Sequence, residues 1–340
     1  MSAQAGLDSP IRPWDRSAAQ VGIDAAGLVG ANVNADALGR YLAGLPGVDK
    51  VGADARAAAL RTRSIKTDAK AWALDTVITM IDLTTLEGAD TPGKVRSLVA
   101  KARTPEPADP SCPLPAAVCV YNDMVSVAID AVADSGIHVA AVSTAFPSGR
   151  ASRAVRLADT SEAVAAGAHE IDMVIDRGAF LAGDYLKVFE DIVAVREQAQ
   201  ARDGSPAHVK VILETGELLT YDNVRRASWL AMLAGADFIK TSTGKVSPAA
   251  TLPVTVIMLE AVRDFLAATG VQVGVKPAGG IRASKDAISY LVAVNEVAGP
   301  QWLDPDFFRF GASSLLNDVL LQRQRQRTGV YTGPDYVTID

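Results

Sequence analysis

The chain has few of the residues from which metal centres and disulfide frameworks are built. Its 340 residues include two cysteines, Cys112 and Cys119, and three histidines, His138, His169 and His208. Two cysteines in so long a chain make no disulfide framework and suit a reducing, cytoplasmic compartment. Three histidines argue against a His-rich catalytic zinc site; neither a metal nor a cofactor is expected. Basic residues are in the minority: the formal net charge is -6, whereas phosphate backbones reward basic faces, so no nucleic-acid partner is expected. The apolar runs fall far short of the roughly 20 residues of a membrane span. No N-terminal stretch couples a basic start to an apolar segment, so neither a membrane partner nor a secretory signal is expected. What is present is a composition 49% hydrophobic and 21% charged, enough to bury a large core in a soluble globular fold.

Residues 1–72 differ from the rest. They carry Pro10, Pro13, a Gly/Ala/Asn-rich stretch around Gly27–Asn34 and helix-like pieces at Leu38–Leu45 and Ala53–Arg63, and they read as a helical extension. From Thr76 onward short runs rich in Val, Ile and Phe alternate with amphipathic stretches. The strand candidates are Thr76–Thr84, Ala117–Tyr121, Val139–Phe146, Glu170–Asp176, Val209–Glu214, Phe238–Thr243, Val273–Ala278 and Phe308–Ser314. Thr91-Pro92 and Ser284 read as helix starts, and Gly136, Gly167, Gly235 and Gly270 as helix-ending glycines. Eight such units in about 250 residues predict an α/β fold, a (β/α)8 TIM barrel over residues 73–324. A doubly wound sheet shares the alternation, but it usually carries a Gly-rich loop after its first strand, and Ile81-Asp82-Leu83-Thr84-Thr85-Leu86 has none. Residues 325–340 read as a polar C-terminal tail.

Several strands carry charges that a strand core should not. Side chains alternate between the helix-facing side and the barrel interior. With Ile171, Met173 and Ile175 outward, Asp172 points in; with Val273 and Val275 outward, so does Lys276. Ile239 outward sends Lys240 inward, and Val209, Val211 and Leu213 outward send Lys210 and Glu214 inward. Buried charges must be paired, and for Lys210 and Glu214 a structural ion pair is a full alternative to function. Lys240 and Lys276 are different. They lie 36 positions apart, one strand-helix repeat, so they sit on neighbouring strands as like charges. A lysine at its usual pKa of roughly 10.4 is protonated and no nucleophile. Desolvation and a neighbouring cation lower that pKa and free the amine to form a Schiff base with a carbonyl. Which of the two attacks is left open by the spacing, and Asp172 could move protons nearby.

A phosphate site is suggested separately. Barrel enzymes often bind phosphate with the loops after strands seven and eight, which here read Gly279-Gly280-Ile281-Arg282 and Gly311-Ala312-Ser313-Ser314. The glycines admit backbone N–H groups to an anion, and Ser313 and Ser314 open the next helix. Lys245 could add positive charge locally. The histidines fall near the starts of strands three to five, at the bottom of the barrel, where they serve stability. Cys119 reads as a small core residue and Arg150 as a solvated rim charge.

The order of these stretches resembles the deoxyribose-phosphate aldolases, a metal-independent family. The matching segments are Ile81–Leu86, Ala117–Tyr121, Glu170–Ile175, Lys210–Leu218, Ala236–Lys245, Val273–Arg282 and Phe310–Leu316, with a family-like Phe146-Pro147-x-Gly149 turn. The resemblance runs from about Thr76 to Gln324. It implies Lys240 as the Schiff-base lysine, Lys276 as the lysine that perturbs it, and Asp172 as the acid/base. It further implies Asp82 and Thr84 near the sugar end and Lys210 in a supporting network with Glu214. Gly244, Lys245, Gly279, Gly280, Ser313 and Ser314 would bind phosphate. The implied activity is reversible aldol cleavage of 2-deoxy-D-ribose 5-phosphate to glyceraldehyde 3-phosphate and acetaldehyde, in deoxyribose phosphate catabolism. The partners would then be a small phosphosugar and aldehydes, and a homodimer is one assembly it allows. Alternatives are another lysine-dependent aldolase or transaldolase of the same barrel, or a non-catalytic phosphosugar-binding barrel. The chain departs from many relatives at Asn122-Asp123, where they have proline after Cys-x-Tyr. Its tail offers Tyr331 and Tyr336 but no terminal tyrosine of the kind that closes over the site in several members.

Overall fold

The runs rich in β-branched residues become eight parallel strands: β1 (Ile81–Thr84), β2 (Ala117–Val120), β3 (His138–Ser143), β4 (Glu170–Val174), β5 (His208–Ile212), β6 (Phe238–Lys240), β7 (Gly274–Lys276) and β8 (Phe310–Ala312). The computed structural model describes residues 33–200, 205–330 and 332–333. Each strand from β1 to β6 pairs with its successor, and β1 pairs with β8. The ring is completed between β7 and β8 by the bridges Val275 to Phe308 and Ala278 to Gly311. This is the (β/α)8 barrel expected.

Helices α1 (Ala35–Gly44), α2 (Lys50–Arg61) and α3 (Thr67–Thr79) precede the barrel. Around it follow α4 (Pro92–Arg103), α5 (Val125–Val132), α6 (Arg153–Ala165), α7 (Arg177–Leu181), α8 (Tyr185–Gln198), α9 (Tyr221–Leu233), α10 (Leu252–Thr269), α11 (Ser284–Ala293) and α12 (Leu315–Thr328). Ile171, Met173, Val209, Val211, Ile239 and Val275 all join the continuous apolar layer between strands and helices. Thr91 caps α4 by accepting from the Lys94 N–H at 3.2 Å, with Pro92 at the first position. Gly136, Gly167, Gly235 and Gly270 all hold the positive φ expected of them.

Two expectations are corrected. Thr76–Thr79 is helix, the last turn of α3, and the first strand begins only at Ile81. Leu74, Val77 and Ile78 are buried on one helical face, and so short an apolar run reads equally well at either period. At the other end α12 continues to Thr328, past the expected start of the tail. Arg323 holds it there, reaching Asp75 and Glu106 at 2.8 Å and Asp109 at 2.6 Å, while Arg327 meets Glu106 at 2.7 Å. Tyr331 and Tyr336 lie outside the described residues.

In the N-terminal segment, Asn34 and Asp49 cap α1 and α2 with their side chains. Leu38 and Leu42 bury one face of α1 against α8 and α9, and α2 lies on α10 and α11. The segment is tied down where the Val48 N–H donates to Asp222 at 2.8 Å and Tyr221 donates to Asp54 at 2.6 Å. Among the described residues no helix is long and apolar enough to cross a membrane.

Candidate active site

Alternation along the strands delivers the charges. Pairing register sets Asp172 beside Lys210 and Lys240 beside Lys276. Inside the ring Asp172 sits among three ammonium groups. Its Oδ1 accepts from Lys210 at 2.9 Å, and its Oδ2 accepts from Lys240 and Lys276 at 2.7 Å each. Lys276 also reaches Asp82 Oδ2 at 2.5 Å. The other Asp82 oxygen accepts from Arg309 at 2.6 Å, and Arg309 donates its second amino group to Glu170 at 3.1 Å. Glu170 returns to Lys210, closing the circuit.

The interior thus holds four cationic side chains, Lys210, Lys240, Lys276 and Arg309, against three carboxylates, Asp82, Glu170 and Asp172. Burying an uncompensated charge is costly, so one lysine proton is in excess. The surroundings decide which. Burial opposes ionisation of Asp172, but Lys210, Lys240 and Lys276 hold it well below the usual carboxylate range. Burial likewise opposes the charge on Lys276, yet Asp172 and Asp82 push its pKa above that of an ordinary lysine. Lys210 is raised by Asp172 and Glu170 against the same burial. Lys240 alone among the three lysines moves down: burial lowers it, Lys276 lowers it further, and the shared Asp172 does not restore it.

Lys240 is also the group of this cluster that opens onto a cavity. It is 3% exposed, whereas Asp82, Glu170, Asp172, Lys210 and Lys276 have no exposed surface. The cavity above it measures about 370 Å³ and is lined by Thr84, Gly244, Lys245, Gly279, Gly280, Ser313 and Ser314, among others. The loop residues predicted to bind phosphate therefore converge on one space with Lys240 at its floor. Gly244, Gly279 and Gly280 all have φ near +80°, a conformation that costs other residues. A Cβ on Gly279 would stand 2.8 Å from Ala249 and 2.9 Å from Gly244 Cα. Lys94, Lys245 and Arg282 bring positive charge to the same wall. Lys245 pairs with Glu87 at 2.8 Å, and Lys94 with Asp90 at 2.8 Å. Among the described residues no group of three or more His, Cys, Asp or Glu is placed to hold a metal ion.

Not every predicted residue joins this arrangement. Asp82 lies in the buried circuit rather than at the cavity wall, while Thr84 lines the cavity and donates to the Asp82 carbonyl at 2.7 Å. Glu214 does not meet Lys210. It sits beyond the end of β5 at φ 53°, which breaks the alternation, and accepts from Thr243 at 2.6 Å with Arg177 3.8 Å away. Its carboxyl thereby anchors the loop leading to Gly244 and Lys245, and burial raises its pKa. Sequence reasoning passed over Glu170 and Arg309, although Glu170 shares the inward parity of Asp172 and Arg309 that of Gly311. It also passed over Lys94 and Arg282 as cavity residues. The histidines sit at the strand starts as expected: His138 meets Glu170 at 2.7 Å and stacks on His169 with ring centres 5.3 Å apart. Cys119 packs with Leu86, Ala140 and Val142 in a small apolar group inside the ring, and burial pushes its thiol up.

Residues 76–320 match the profile of the DeoC/LacD family aldolases. The chain belongs to this family. Similar relatives include the deoxyribose-phosphate aldolase of Mus musculus, 45% identical over 279 residues, covering 79% of this chain and 86% of the relative. The Homo sapiens deoxyribose-phosphate aldolase is 43% identical with the same coverage. That of Agrobacterium fabrum is 43% identical over 244 residues, covering 72% of this chain and 88% of the relative. Among solved structures, the aldolase QR15 is 29% identical with a TM-score of 0.58, covering 74% of this chain and 97% of its own. Membership of an aldolase family agrees with a buried lysine that opens onto a cavity lined by glycine loops and cations, with a shared carboxylate behind it.

Proposed function

We propose that this family member reversibly cleaves 2-deoxy-D-ribose 5-phosphate to D-glyceraldehyde 3-phosphate and acetaldehyde through an imine on Lys240. The observation that carries this reading is that Lys240, the lysine lowered in pKa, forms the floor of a cavity whose opposite wall is built from glycine loops and cations. Curated relatives with 43–45% identity are deoxyribose-phosphate aldolases, which supports the substrate.

Neutral Lys240 attacks C1 of the open-chain sugar, and loss of water gives an iminium. The C3 hydroxyl gives up its proton, the C2–C3 bond breaks, and its electron pair passes to the iminium to form an enamine. Glyceraldehyde 3-phosphate leaves. A proton then returns to the enamine carbon, and water hydrolyses the imine to acetaldehyde and free Lys240. Asp172, hydrogen-bonded to both lysines, suits the proton transfers, and Lys276, held charged by Asp82 and Asp172, suits donation to departing water. Gly244, Lys245, Gly279, Gly280, Ser313 and Ser314, with Arg282, would fix the phosphate. That converts remote binding energy into orientation of C1 over the amine. The buried free thiols of Cys112 and Cys119 suit a reducing cytoplasm.

The test is borohydride reduction in the presence of acetaldehyde, followed by peptide mass mapping. A two-carbon adduct on the Lys240 peptide is expected, with Lys240→Ala losing both the adduct and at least about a thousandfold in kcat. An adduct on Lys276 would reverse the two roles. No adduct from folded protein would leave a phosphosugar-binding barrel without this chemistry.

A further inference from the structure

We propose that Arg309 is a positioning residue for catalysis: by neutralising Asp82 and Glu170 beneath the lysines, it makes Lys240 the group that must give up its proton. This rests on the reading of Lys240 as the imine-forming lysine.

Every strand except β2 and β3 sends a carboxylate, a lysine or an arginine to this interior. Asp82 comes from β1, Glu170 and Asp172 from β4, Lys210 from β5, Lys240 from β6, Lys276 from β7, and Arg309 from the residue before β8. β2 contributes the thiol of Cys119. β3 and β5 contribute His138, 2.7 Å from Glu170, and His208, 4.0 Å from it. Arg309 is 2% exposed, lies over the Phe238 ring and does not line the cavity. It therefore meets neither substrate nor the reacting amine.

Its guanidinium nevertheless spans two carboxylates with separate amino groups, at 2.6 and 3.1 Å. With Arg309 in place, three fixed cations balance three carboxylates and Lys240 is left over. Without it, two cations face three carboxylates, and the interior can regain neutrality only by holding one more proton. The three carboxylates all lie below their ordinary range. Lys240, which alone of these groups lines the cavity, is the most basic vacant position. The proton goes there, and the nucleophile is lost at neutral pH.

The experiment compares the pH dependence of acetaldehyde imine formation, read by borohydride trapping, in four variants whose fold is checked by circular dichroism. Arg309→Met is expected to move the acid limb of the profile upward by about one to two pH units, as a charge removed within a buried network should. Trapping should recover at high pH. Arg309→Lys keeps the charge and should keep the limb near the wild-type position, even if the rate falls. Glu170→Gln removes a carboxylate instead and should move the limb downward. Glu170→Gln with Arg309→Met restores the count and should return the limb towards wild type. His138 and His208 face Glu170 and are affected by its removal, so the comparison of Arg309→Met with Arg309→Lys, both of which leave Glu170 in place, carries the test. If Arg309→Met does not fold, the downward shift in Glu170→Gln decides. Rates lowered at all pH values with unmoved limbs would make Arg309 a packing residue and overturn the proposal. Absence of any adduct, even at high pH in wild type, would instead overturn the reading of Lys240.

Discussion

At the scale of single residues the Asp172 carboxylate stands out, shared among three lysines. Asp172→Asn keeps its shape and removes its charge. Lys210, Lys240 and Lys276 then face one another with one anion fewer, which should also push Lys240 further from protonation. Imine formation is therefore expected to survive, while the proton transfers that follow slow by about 10² to 10⁴ in kcat. Comparing trapping with turnover in this variant checks the split; equal loss in both would show that Asp172 acts on the amine alone. Much of this cluster was legible in the sequence. Lys240, Lys276 and Asp172 follow from period-two alternation beside apolar neighbours. The same parity applies to Glu170 and Arg309, but each stands at the start of its strand, where pattern gives way to boundary. Glu214 was misplaced because a left-handed residue after Leu213 resets the alternation, and nothing in its composition marks that conformation.

At the scale of elements, the loops after β6, β7 and β8 face one another across the cavity. In the sequence the glycines after the seventh and eighth strands suggest an anion site because they recur after consecutive strands, whereas Gly244 enters only through the family resemblance. Gly279→Ala places a methyl group against Ala249 and Gly244 and forces a residue with Cβ to φ +80°, at a cost of about 1–3 kcal/mol. The loop should yield rather than the barrel. The expected outcome is a rise of about tenfold or more in KM for 2-deoxyribose 5-phosphate, with acetaldehyde trapping on Lys240 nearly unchanged. Steady-state kinetics with phosphorylated and unphosphorylated sugar distinguish this from general damage, which would lower both alike. The first strand shows the opposite limit of legibility. Thr76–Thr79 and Ile81–Thr84 are both short and apolar, and the turn at Met80 between helix and strand leaves no sequence mark.

At the scale of the whole molecule the buried charges govern acid stability. Asp82, Glu170 and Asp172 are all held below ordinary carboxylate values, which lie near 3.9 and 4.3 for Asp and Glu. A depressed carboxylate contributes stability that is present above its unfolded pKa and is lost as pH falls through its folded one. These three should therefore keep the barrel folded down to about pH 4 and release it below. Glu214, raised by burial, has the opposite sign: its contribution is present at low pH and lost as the pH rises past its unfolded value. One residue against three does not move the transition. Circular dichroism at stepped pH checks this, and a midpoint at pH 5 or higher would contradict it. The barrel itself was legible as a whole, because eight repeats outvote any one misread boundary.

The seam between β7 and β8 has a bearing on all three scales. Elsewhere neighbouring strands share runs of paired residues; here the ring is sewn shut by two isolated bridges. The loops leaving those two strands carry Gly279, Gly280, Ser313 and Ser314. An anion bound by both loops, as proposed, would be a clasp as well as a ligand, drawing together the two edges of the sheet at its least paired seam.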